Sequence, residues 1–156
     1  SRSADEISRN KFASYLKRVT TQYGASLIAE EFNEEALQKS NATISTLKYI
    51  ANNLKVKHLF CDPNTKEREV IGIPSREKIK NSLGIKGPVY EGSEEDNRIN
   101  EEQNKYYPLR EKFWFDKIEK LTDRVIIFVC GQDHVESFQS LLISNRRETK
   151  ILKSYL

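Results

Sequence analysis

Apolar and polar positions follow one another in blocks of different period, and residues 124–142 give the clearest change. Residues 125–130 are a continuous apolar run rich in β-branched side chains, too short for an isolated helix, which predicts a strand buried on both faces at the middle of the protein. Gly131 breaks the run. Asp133 is the expected cap of the helix that follows, and Glu136 completes a capping-box-like pattern ahead of Val135, Phe138, Leu141 and Leu142. This places His134 in the first turn of a helix at the carboxyl end of a strand, where open α/β sheets keep their ligands.

The same alternation of strand and helix runs through the rest of the chain. A capping-box pattern at Ser3 and Glu6 precedes Phe12, Tyr15, Leu16, Val19 and Tyr23 at helical spacing, and Gly24 stops that helix. Residues 25–32 read as a short buried strand ending in two consecutive carboxylates, Glu30 and Glu31. Asn33 caps a short helix through Gln38, and residues 42–54 present Ile44, Leu47, Ile50, Ala51 and Leu54 at spacings of three and four. Residues 56–61 form the next strand, which Asp62 and Pro63 end. Residues 75–84 are a basic helical piece, whereas residues 86–107 combine glycines, a proline and a run of charges without a period, predicting a loop or mobile excursion. Pro108 opens a helix with Trp114, Ile118 and Leu121 on one face and Arg110 and Glu111 in its first turn. Residues 149–156 alternate as a last, edge strand would. The order predicts a single α/β domain, a mostly parallel Rossmann-like sheet of about four strands with helices on both faces.

Composition narrows the function classes only a little. With 26 basic against 23 acidic residues the formal charge is +3, too small a bias to make nucleic acid the partner, and the basic stretch from Lys66 to Lys86 lacks interleaved aromatics. No apolar run approaches the roughly 18–20 residues that span a bilayer, so the expectation is a cytoplasmic protein without a membrane segment. Cys61 and Cys130 lie in apolar runs and are expected to be buried free thiols. Dinucleotide and P-loop glycine motifs are absent from the sequence.

In a parallel sheet the carboxyl ends of the strands bring Glu30, Glu31, Asp62 and the segment from Gly131 to His134 to one edge. Carboxylates with an imidazole form an acid–base pair or, with Asp62 and His134 as ligands, hold a divalent metal. Arg110 is placed to reach an anionic ligand, or to form an ordinary surface ion pair; Arg68 shares that ambiguity. His58, inside a strand, reads as a packed, hydrogen-bonded core histidine. In the blander account Asp62 and Asp133 are turn and cap residues, the glutamates solvate a strand end, and His134 is exposed. Two functions fit: a metal-assisted hydrolase of a small or anionic substrate, with Glu30, Glu31, Arg110 and His134 as catalytic candidates, and a noncatalytic ligand-binding or protein-interaction module.

The segment from Arg110 to Trp114, the strand ending at Gly131, His134, and IAEE at 28–31 together resemble the TraB/Tiki and ChaN-like/erythromycin-esterase superfamily. The resemblance implies an α/β fold and, as in some members, metal-dependent hydrolysis, with Glu30 or Glu31, Arg110 and His134 at the matching positions. Members also carry a strand and a histidine-bearing loop ahead of the first helix, which these 156 residues do not include. The sequence is also similar to uncharacterised bacterial proteins with a VCGxxHVESF segment.

Overall fold

The computed structural model describes residues 4–152. Three short strands, β1 (Leu27–Glu30), β2 (Lys57–Phe60) and β3 (Ile126–Val129), pair in parallel in the order β2-β1-β3, with Ala29 opposite Leu59 on one side and Phe128 on the other. Helical connections account for the parallel arrangement, since each strand must return to the same end of the sheet before the next begins. The central strand is therefore β1, whose four residues are all buried, and the run at 125–130 forms a half-buried edge instead. Among the described residues there are three strands rather than four. Residues 149–152 are not a strand; the remainder of that expected edge, and Ser3 of the expected first cap, lie outside the described residues.

Side chains alternate across the pleat, so each strand feeds two cores. On one face Ile28 and Ile127 pack with Leu16 and Val19 of α1 (Ala4–Tyr23) and Ile50 and Ala51 of α3 (Thr46–Leu54). On the other, Ala29 and Cys61 pack with Trp114 and Phe115 of α7 (Tyr107–Glu119) and Phe138 of α8 (Gln132–Ser144). This is an α/β domain with helices on both faces. Asn33 caps α2 (Glu34–Lys39) as expected, accepting from the Ala36 amide at 2.8 Å. The cap of α8 is Gly131 and not Asp133, and no side chain bonds there as a cap.

Two further helices were not legible as periods. Asn64 and Glu67 form a reciprocal capping box that starts α4 (Thr65–Ile71), a helix that buries none of its residues completely. The charged excursion is also largely helical. Within it α6 (Glu94–Asn104) is capped by Ser93 and packs on α5 (Arg76–Ser82), so the loop expected at 86–107 is corrected. Ile99 is the single buried residue of α6, and one apolar position cannot display a period. Polar ties supply the remainder, with Arg76 donating to Asp96, to Asn100 at 2.9 Å and to Gln103 at 3.0 Å.

No helix among the described residues is long and apolar enough to cross a membrane. Both cysteines are free; Cys61 is fully buried and Cys130 only partly. Burial, reinforced by nearby carboxylates, pushes each thiol up to about 12. At pH 8 that leaves roughly 10⁻⁴ as thiolate, against roughly a quarter for a free cysteine. Native protein should thus react with a thiol reagent orders of magnitude more slowly than urea-unfolded protein, Cys130 before Cys61. Complete labelling of both within seconds at pH 8 would contradict the burial.

Candidate functional site

Asp62 follows β2 with its backbone amide tied to the Phe32 carbonyl at 3.1 Å, which carries its carboxylate to the carboxyl edge of the sheet, 5% exposed. A buried carboxylate requires donors, and Asp62 has them on both oxygens. Its Oδ1 accepts from Arg110 Nε at 3.0 Å, Arg110 Nη2 at 2.8 Å and Trp114 Nε1 at 3.0 Å, while Oδ2 accepts from Arg68 Nη2 at 2.6 Å. The capping box that starts α4 holds Arg68 in place, and Arg68 Nε also donates to the Pro63 carbonyl at 3.0 Å. The spacing of four residues sets Arg110 and Trp114 on one face of α7, so both reach the same oxygen.

Arg110 continues the network to β1. Its Nη2 donates to Glu31 Oε1 at 2.7 Å, and Glu31 Oε2 accepts from the Gly131 amide at 2.7 Å, closing the gap between β1 and the start of α8. Burial of the guanidinium opposes its charge, but the attraction and hydrogen bonds of Asp62, and then of Glu31, outweigh this and hold its pKa above the ordinary arginine value. Arg110 is an internal double bridge and not a surface ion pair. The Trp114 and Tyr107 rings lie 5.5 and 5.9 Å from its central carbon, within cation–π range.

His134 occupies the first turn of α8 as expected, but it is 3% exposed rather than solvated. Tyr107 and Trp114 enclose its ring at centroid distances of 4.0 and 4.8 Å. Its Nδ1 lies 2.9 Å from Glu111 Oε1, which also accepts from the Ser137 hydroxyl at 2.6 Å. With the carboxylate accepting at this contact, Nδ1 is the ring nitrogen that donates, the tautomer that leaves Nε2 with its lone pair when the ring carries one proton. That nitrogen lies 3.6 Å from Glu31 Oε1. Glu111, 3% exposed, is the site residue that the sequence placed in the first turn of α7 without a role. Its signal was present: Glu111, Trp114 and Ile118 are spaced three and four apart, which sets a carboxylate on the apolar stripe of α7.

Glu31, Asp62, Arg110 and His134 therefore converge, and Glu30 does not. Consecutive strand residues point to opposite faces, and Glu30 turns toward α3, where its Oε1 accepts from Ser45 Oγ and lies in hydrogen-bond contact with His58 Nε2, each at 2.7 Å. His58 is the packed, hydrogen-bonded histidine expected, its ring edge-on to Phe60 at 4.5 Å. The residues also do not fit the expected metal. Four donor contacts already occupy Asp62, and an arginine nitrogen lies 2.7 Å from the Glu31 oxygen nearest His134, so a cation there would meet a guanidinium instead of free lone pairs. Among the described residues, no group of three or more His, Cys, Asp or Glu is arranged to hold a metal ion.

Burial changes what a substitution at His134 does. His134→Ala removes a packed ring and takes a hydrogen bond from buried Glu111, so it should destabilise the fold by about 2–4 kcal/mol in urea unfolding. His134→Asn retains a donor toward Glu111 and should cost less. A His134→Ala loss within about 0.5 kcal/mol, the range of exposed positions, would contradict the packing.

No family model, curated protein or solved structure matches the chain, so the resemblance to the TraB/Tiki and ChaN-like/erythromycin-esterase superfamily is carried by its quoted motifs alone.

Proposed function

We propose that the edge formed by Glu31 and His134 is the active site of a hydrolase that works by general acid–base catalysis on a small or anionic ester. The observation that carries this reading is the 3.6 Å gap between Glu31 Oε1 and an imidazole Nε2 whose tautomer Glu111 sets. The gap is too long for a direct hydrogen bond, but an oxygen placed about 2.8 Å from each atom would bridge both. His134 Nε2 takes a proton from such a water, and the oxygen attacks the carbonyl carbon or the phosphorus of the ester. The bond from that centre to the leaving oxygen then breaks, and the leaving oxyanion receives the proton from the imidazolium. Glu111 is a positioning residue, and Arg110 positions Glu31. Arg110 and the Gly131 amide, which hold a carboxylate already, are donors of the kind that stabilise negative charge developing on substrate. Among these residues Glu31, Arg110 and Gly131 provide the contact with solvent, the first two with side chains 17% and 16% exposed.

A second reading, a noncatalytic ligand-binding or protein-interaction module, has its own support. Every fully buried side-chain nitrogen and oxygen among the described residues is already partnered, as a structural fastening requires. Hydrolysis of p-nitrophenyl acetate and bis(p-nitrophenyl) phosphate, with a chelator present, separates the two. The hydrolase reading predicts turnover above buffer that His134→Asn lowers by roughly 10²–10⁴ in kcat/KM. Turnover equal in wild type and variant, or none on either ester, favours the module.

A further inference from the structure

The other face of β1 carries a second polar group that the Glu31 site does not use. Glu30 is 6% exposed, and only one of its carboxylate oxygens is occupied: Oε1 accepts from Ser45 and is in hydrogen-bond contact with His58 Nε2. Oε2 has no hydrogen-bond partner among the described residues, yet no fully enclosed side-chain oxygen there lacks one, so Oε2 is open to its surroundings. Glu30 also lines an open groove of about 280 Å³ between the end of β1, α2 and the start of α3, together with Phe32, Leu37, Ile44, Ser45 and Leu47 among others.

We propose that this groove binds a small amine, with the ammonium held by the free oxygen of Glu30 and a short apolar body lying against Phe32, Leu37, Ile44 and Leu47. An ionised carboxylate only accepts hydrogen bonds, so its ligand must donate, and a cationic donor gains roughly twice what a neutral one does. Ser45 and His58 fix the carboxylate before the ligand arrives, which lowers the ordering cost of binding. The volume lies just below the usual lower bound for small-molecule pockets of ~300 Å³, fitting a single ring or short alkyl chain. The chain as a whole is positive, +3, so general electrostatics repel an amine and any affinity for one comes from this carboxylate.

Titrating ¹⁵N-labelled protein with benzylammonium, and separately with benzyl alcohol as its neutral counterpart, tests the site. Saturable amide shifts confined to residues 30–47 are expected with the amine, and binding of the alcohol should be weaker by roughly tenfold or more. Glu30→Gln keeps an acceptor for Ser45 and His58 but removes the charge, and should weaken the amine by a similar factor. Ala42→Trp, at an exposed position on the groove, should block binding while leaving the amide spectrum elsewhere unchanged. The proposal is overturned if the amine gives no saturable shift, if the alcohol binds as well, or if both variants bind the amine like wild type.

Discussion

An ionised carboxylate taken out of water must find donors, and the burial of Asp62 is the constraint on which the carboxyl edge of this sheet depends. Satisfying it draws Arg68 from α4 and Arg110 and Trp114 from α7 onto one side chain at the end of β2. Arg110 has donors to spare, and its second contact fastens Glu31 of the central strand, whose remaining oxygen holds the Gly131 amide. One buried charge thus links β2, α7, β1 and the start of α8. The fully buried Trp114 ring lies within this linkage, shielding the ion pairs from water and one side of His134.

The two-residue period of β1 then divides the chemistry. Glu30 and Glu31 are neighbours in the chain, but the pleat sends them to opposite cores, and each needs its own compensating groups. Glu31 receives a guanidinium and a backbone amide; Glu30 receives a hydroxyl and an imidazole. Two polar sites stand back to back on one strand. On the Glu31 side both carboxylate oxygens are held by donors, and His134 Nε2 lies 3.6 Å from one of them. On the Glu30 side one oxygen is held by Ser45 and His58, and the residue borders the groove between α2 and α3.

Much of this was legible from residues alone. Apolar runs and their glycine or proline stops located all three strands, and helical connections between them required parallel pairing. The same reasoning brought Glu31, Asp62, Arg110 and His134 to a common edge. What it missed depended on information that a run of residues does not contain. Apolarity showed that residues 125–130 form a strand but not that 27–30 lies between its two partners, since strand order is set by packing on both faces. Glu94–Asn104 carries a single buried isoleucine and is held by polar ties from Arg76, so no period announced it. The donors that occupy Asp62 were not legible beside it, because Arg110 and Trp114 lie 48 and 52 residues away in sequence. Only the separation of Glu30 from Glu31, and the place of Glu111 on the stripe of Trp114, could have been read directly, from strand and helix periodicity.

Arg110 and Asp62 act as a unit, and a double-mutant cycle measures that directly. Urea unfolding of wild type, Asp62→Ala, Arg110→Ala and the double variant should give a coupling energy of about 1–3 kcal/mol, the double variant losing less than the two single losses combined. Losses that add to within about 0.3 kcal/mol would mean that the two side chains do not depend on each other, and the organising role assigned to Asp62 would be wrong.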